Sequence, residues 1–194
     1  MLDKTPESGL IFPFATPPQP GGIIEVAPGI LWARLPLPFS LDHVNVYLIE
    51  DGGGFAVLDT GIGNTRTKQA WEAIFAGPLA GQSLTRVIVT HFHPDHIGLA
   101  GWFVERFDLP LQMSQTDYLM GLNLHLDPGA LDAEPFRQFY IRHGLDPLTT
   151  GKVVTQGHGY LKMLTGLPST FGRLIAGERL RIGKREFSVL SGGG

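Results

Sequence analysis

The stretch Thr90-His91-Phe92-His93-Pro94-Asp95-His96 constrains this chain more than any other. Three of the seven histidines and one carboxylate fall there within six residues. It directly follows the apolar run Arg86-Val87-Ile88-Val89, which reads as a strand. In extended backbone alternate side chains share a face, so His91 and His93 are expected to point the same way while Phe92 turns toward the core. Pro94 then bends the chain and brings Asp95 and His96 round to the same mouth. Imidazole nitrogens and a carboxylate oxygen suit zinc, with iron or manganese next in order. Simpler readings account for one residue at a time: a lone His at a strand end is an ordinary surface residue, and Asp95 can N-cap the helix that follows. Four potential ligands on one short loop need a common cause, because crowding imidazoles without a partner is unfavourable. Metal binding supplies it, and Asp95 can do both jobs.

With 194 residues, 43% of them hydrophobic and 17% charged, the chain can bury one sizeable core. A net charge of −3 gives no general attraction to nucleic acid or to an anionic membrane. The basic cluster Arg179, Arg181, Lys184 and Arg185 alternates with Glu178 and Glu186 and reads as a solvated hairpin surface. There is no cysteine, hence no disulfide framework and no thiolate ligand. Neither a signal-peptide pattern nor a stretch long enough to span a membrane is seen, so a cytoplasmic location and a small-molecule substrate are expected, with the oligomeric state open.

Residues 1–22 form a Pro/Gly-rich irregular leader, and residues 23–194 one domain. Residues 23–27 and 30–35 read as a hairpin, 44–50 as a third strand and 55–58 as a fourth. The period then changes: 65–75 places Trp71, Ile74 and Phe75 at helical spacing, and 86–89 is the next strand. A strand–helix–strand unit implies parallel neighbours joined by a right-handed crossover, which places Asp59 beside His91. Ile97, Ala100, Gly101 and Val104 mark the buried face of a helix ending near Phe107, and 111–114 is a short strand. Residues 115–176 form a mostly helical insertion, with segments at 115–126, 132–143 and 147–165. Core packing is the leading reading of its two apolar stripes, Tyr118, Leu119 and Leu122 and then Phe136, Phe139 and Tyr140, with a substrate lid as the other. Strands return at 178–182 and 186–190.

The run His91-Phe92-His93-Pro94-Asp95-His96-Ile97-Gly98 resembles the H-x-H-x-D-H signature of the metallo-β-lactamase superfamily. So do its surroundings: the Asn45-bearing strand, then Val57-Leu58-Asp59-Thr60-Gly61, then a helix before the loop. The resemblance covers roughly residues 23–114 and 177–194 and, among branches, is strongest to glyoxalase-II-like and thioesterase-like hydrolases with a helical insertion. It implies an α/β (α+β) fold, the αββα sandwich, of which this chain carries the N-terminal half. It also implies two divalent metal ions, zinc before iron or manganese. His91 and His93 match two ligands of the first metal, Asp95 and His96 match ligands of the second, and Asp59 matches the acidic position behind them.

The family's third His for the first metal, its bridging Asp and its last His have no counterpart before Gly192-Gly193-Gly194. Ligand counting agrees, because a catalytic zinc normally takes three protein ligands plus water and the loop offers two per metal. Among the remaining histidines, His43 is the best placed and reads as lining the substrate mouth, while His125, His143 and His158 fall in the helical segment. The chain is therefore expected to be the N-terminal portion of a longer hydrolase, and by itself to hold less than one metal tightly. The implied chemistry is attack of a metal-bound hydroxide, oriented by Asp95 as catalytic carboxylate, on a thioester or other activated acyl compound. A phosphodiesterase or ribonuclease of the same superfamily, and an inactive or binding-only polypeptide, are the competing expectations.

Overall fold

The computed structural model describes residues 13–129 and 132–192, and residues 1–12 of the leader lie outside them. The chain opens as an antiparallel meander: β1 (Ile23–Ala27), β2 (Ile30–Pro36), β3 (His43–Glu50) and β4 (Gly54–Leu58). Helix α1 (Thr65–Ala76) follows, its first turn held by Asn64, whose side chain accepts from the Thr67 N–H at 2.8 Å. The crossover lands on β5 (Ser83–Ile88), parallel to β4 as the strand–helix–strand pattern requires. Beyond the histidine loop come α2 (Pro94–Ile97), α3 (Ala100–Phe107) and β6 (Leu111–Ser114). The insertion holds α4 (Gln115–Leu126), α5 (Glu134–Arg142), α6 (Pro147–Val154) and α7 (Gln156–Leu161), and returns to the sheet through β7 (Gly172–Leu174). One seven-stranded sheet results, ordered β1 to β7, antiparallel as far as β4 and parallel from there on. Strands β8 (Arg179–Ile182) and β9 (Arg185–Ser188) form a separate hairpin.

The alternation within each strand sorts the two faces of the sheet. Val46, Leu48, Val57, Val87 and Val89 point to one side, where they bury Trp71 and Ile74 of α1 and Phe103 of α3. Trp71 and Phe103 meet edge to face at 4.9 Å. The intervening residues Ile49, Ala56 and Ile88 point to the other side and pack on Leu180, Ile182 and Phe187 of the hairpin. The layers are thus helices, sheet and hairpin, an α/β arrangement. Asp51 ties the third layer to the second: it accepts from the Gly183 N–H at 2.7 Å, from the Thr85 hydroxyl at 2.7 Å and from Arg86 Nε at 2.8 Å.

Several expectations shift. Ile97 ends the short α2, and the helix restarts at Ala100 with Leu99 as its N-cap, so its buried face runs through Ala100, Gly101 and Phe103, with Val104 only partly covered. The segment expected as one helix over 147–165 breaks at Thr155, whose hydroxyl bonds back to the Gly151 and Lys152 carbonyls. Strand β7 was not expected within the helical insertion, being only three residues long. The core reading holds for Tyr118, which stacks on Phe171 with centroids 3.9 Å apart and donates to the Pro168 carbonyl. It fails for Leu119, which is 50% exposed, and for the second stripe: α5 buries no residue, and Phe136 and Phe139 are 42% and 53% exposed.

Candidate metal centre

Parallel pairing of β4 with β5 sets Leu58 opposite Ile88, so both strands end at the same sheet edge. The next residue, Asp59, donates its N–H to the Ile88 carbonyl at 2.8 Å and takes a left-handed φ of 64°. That conformation disfavours any residue with a Cβ, so its use by an aspartate calls for a reason. The reason is the carboxylate, which accepts the Thr90 N–H at 2.8 Å, the Thr90 hydroxyl at 2.8 Å and His96 Nδ1–H at 2.8 Å. Thr60 accompanies it, donating both its N–H and its hydroxyl to the His96 carbonyl at 2.8 Å. Gly98 is required by packing: a Cβ there would lie 2.4 Å from the Gly63 nitrogen and 2.7 Å from the Gly61 oxygen.

The loop itself gathers its donors as the alternation argument expects. His91 and His93 face each other with Nε2 and Nδ1 3.0 Å apart, and the His91 and His96 rings have centroids 4.0 Å apart. Asp95 does not cap the helix. His93 occupies the N-cap position without a side-chain bond, and the Asp95 carboxylate instead reaches His96 Nε2 at 3.4 Å. The crossover argument placed Asp59 beside His91; its direct partners are Thr90 and His96, one residue before and five after. The Thr90 hydroxyl lies among Asp59, His91 Nδ1 at 3.0 Å and His96 Nδ1 at 3.4 Å, a role the sequence did not announce.

Electrostatics divide the histidines. Burial works against charge on His96, but hydrogen bonds to Asp59 and Asp95 prevail and push its pKa up to about 9. His91 moves the other way: burial, then the positive fields of His96 and His93, hold it below the ordinary imidazole range. The hydrogen bond from His96 keeps Asp95 below the usual carboxylate range, despite burial. Two ring nitrogens facing each other at 3.0 Å, with an ionised carboxylate beside a third ring, form a donor set that suits a divalent cation. The donors come in pairs, however. Among the described residues no three His, Cys, Asp or Glu side chains converge on one point.

Comparison with known proteins decides the family. The family model described as metallo-beta-lactamase superfamily matches residues 40–171, most of the chain and the whole loop. The chain belongs to the metallo-β-lactamase superfamily. It is similar to the probable metallo-hydrolase YybB of Bacillus subtilis (strain 168), with 36% identity over 75 residues, 38% of this chain and 31% of that protein. Among solved structures it resembles a β-lactamase domain protein from Burkholderia ambifaria, with a TM-score of 0.73 and 36% identity over 90% of this chain and 51% of that one. It also resembles a metallo-β-lactamase family protein from Thermus thermophilus, with a TM-score of 0.68 and 26% identity over 86% of this chain and 52% of that one. The chain therefore spans about half the length of these solved members of its superfamily.

Among the described residues, the other candidates make no hydrogen bond or ion pair with the loop. His43 sits where β3 begins, its Nδ1 2.6 Å from the Asp42 carboxylate and 2.6 Å from Arg34, in a groove shared with Arg66 and Pro17 to Pro20. No polar contact among the described residues joins it to the loop. His125 lies in the last turn of α4, and His143 follows α5 with its Nδ1 2.7 Å from the Phe139 carbonyl; the side chain of His158 lies outside the described residues. Beside the loop, Thr90, Phe92, Ser114, Asp117, Arg173 and Leu174 help to line a groove of about 590 Å³. No helix among the described residues is long and apolar enough to cross a membrane.

Proposed function

We propose that this chain serves metal-dependent hydrolysis of a thioester or other activated acyl compound, with His91 and His93 holding one divalent ion and Asp95 and His96 a second. Zinc is the first choice of metal, before iron or manganese. The observation that carries the reading is the gathering of three imidazoles and one carboxylate at one sheet edge, with two ring nitrogens aimed at each other at 3.0 Å. The chemistry supplied by bound divalent ions is activation of water near neutral pH and polarisation of the acyl carbonyl.

The chain's own residues do the rest. Asp59 accepts from His96 Nδ1–H, which fixes the ring and leaves Nε2 facing Asp95. Asp95, kept ionised by His96, orients the nucleophile and accepts its proton. The groove of about 590 Å³ beside Phe92 and Asp117 has the size of a small-substrate site. Its walls come from the loop, from the start and end of the insertion and from Leu190 to Gly192, and that size supports an acyl compound over an extended RNA.

Each pair is one donor short of the usual three protein ligands, so the 194 residues alone are expected to bind less than one equivalent tightly and to turn over slowly. Assays of purified protein on acyl thioesters and on RNA, with and without chelator, test the reading. Thioester hydrolysis abolished by chelator and restored by zinc is the expected result. Chelator-resistant hydrolysis, or cleavage of RNA instead, overturns it, and two tightly held metal equivalents per chain would contradict the donor count.

A further inference from the structure

The apex of the metal loop is gripped from the insertion at both of its backbone polar groups. The Phe92 N–H donates to Asp117 Oδ1 of α4 at 3.3 Å, and the Phe92 carbonyl accepts from the Tyr160 hydroxyl of α7 at 2.8 Å. Tyr160 is 4% exposed, and its hydroxyl makes no other hydrogen bond among the described residues. A buried phenol is costly to leave unpartnered, so this bond favours one position of the Phe92 peptide over its neighbours. Gly121 makes the approach possible. A Cβ at that position would stand 3.2 Å from the Tyr160 hydroxyl and 3.8 Å from Phe92 Cβ, which accounts for a glycine in the middle of a helix where alanine is otherwise favoured.

Phe92 lies between His91 and His93. The three lie in the bend that follows β5, where the two peptides of Phe92 lead directly into its neighbours, so fixing them constrains the direction of both imidazoles. We infer that Tyr160 and Asp117 are positioning residues: by holding the Phe92 peptide at both ends they aim His91 and His93 at a common point, so that the helical insertion sets how well the loop holds a metal. The inference rests on the metal reading proposed above, but its first half concerns only imidazole orientation.

A matched control exists in the same insertion. Tyr118 is also buried and also donates to a backbone carbonyl, that of Pro168 at 2.9 Å, yet among the described residues its hydroxyl makes no hydrogen bond to the loop. Tyr160→Phe and Tyr118→Phe each delete one buried hydroxyl of the same kind and should cost similar thermal stability. Two readouts separate them: the imidazole ¹⁵N signals of metal-free protein, and cobalt or zinc affinity by titration. Tyr160→Phe is expected to shift or average the His91 and His93 signals and to weaken metal binding about tenfold. Tyr118→Phe is expected to leave both unchanged. Asp117→Asn keeps an acceptor oxygen and should behave nearly as wild type, whereas Asp117→Leu should follow Tyr160→Phe.

Should Tyr160→Phe fold poorly, Gly121→Ala answers the same question: the added methyl favours the helix but presses on the hydroxyl, so metal affinity should fall without loss of helix content. Equal responses of the two tyrosine variants, or no response of the imidazole signals to Tyr160→Phe, overturn the inference. Imidazole signals that respond in a protein taking up no metal would sustain the positioning role while removing the metal reading.

Discussion

At the residue scale, Asp59 accepts a strained backbone so that one carboxylate can serve Thr90 and His96 together. Asp59→Asn keeps the shape but loses the charge that favours His96 Nδ1–H, and metal affinity is expected to fall about 10- to 100-fold by titration. Asp59→Gly relieves the strain yet should lose at least as much affinity, which separates backbone comfort from function. Asp51 gives the pH prediction. Burial raises its pKa, but bonds from Thr85, the Gly183 N–H and Arg86 outweigh that and hold it below the usual carboxylate range. A folded-state value below the unfolded one means that its contribution to stability is whole above about pH 4 and lost as the pH falls through the lower value. Urea titrations from about pH 7 to pH 3 should therefore show Asp51→Asn about 1–2 kcal/mol less stable at neutral pH, with the gap closing in acid. The gathering of His91, His93, Asp95 and His96 was legible because alternation and the bend at Pro94 bring them to one mouth. Thr90, Asp117 and Tyr160 were not, because their roles depend on contacts with residues up to 68 positions away.

At the element scale, strands and the first helix followed from period, since alternation and the spacing of Trp71, Ile74 and Phe75 each fit one geometry. The insertion was harder. Helix propensity gives no sign that a threonine hydroxyl will turn back onto its own helix and end it at Thr155, nor that a three-residue strand will follow. The apolar stripe of α5 misled for a physical reason: hydrophobic periodicity reports that a face exists, not that something covers it. Stability should mirror that difference. Phe103→Ala, which opens a cavity against Trp71 beneath the sheet, is expected to cost about 3–5 kcal/mol by denaturant unfolding. Phe139→Ser on the exposed face of α5 should stay within about 0.5 kcal/mol of wild type.

For the molecule as a whole, the order of elements brings the loop and the residues that support it to one edge. The crossover from β4 to β5 brings Asp59 behind the loop, and the insertion brings Asp117 and Tyr160 in front of it. The sheet's two faces carry different layers, helices on one and the β8–β9 hairpin on the other, and that layering was legible as an α/β chain. The chain gathers three imidazoles and one carboxylate at that edge while spanning about half the length of the solved relatives it matches. The most direct test is a zinc or cobalt titration of the wild-type chain beside His91→Ala, His93→Ala and His96→Ala. Metal uptake that each substitution weakens by at least about tenfold is the predicted result. Uptake unchanged by all three substitutions, or absent from the wild type, would contradict the assignment of the loop as a metal site.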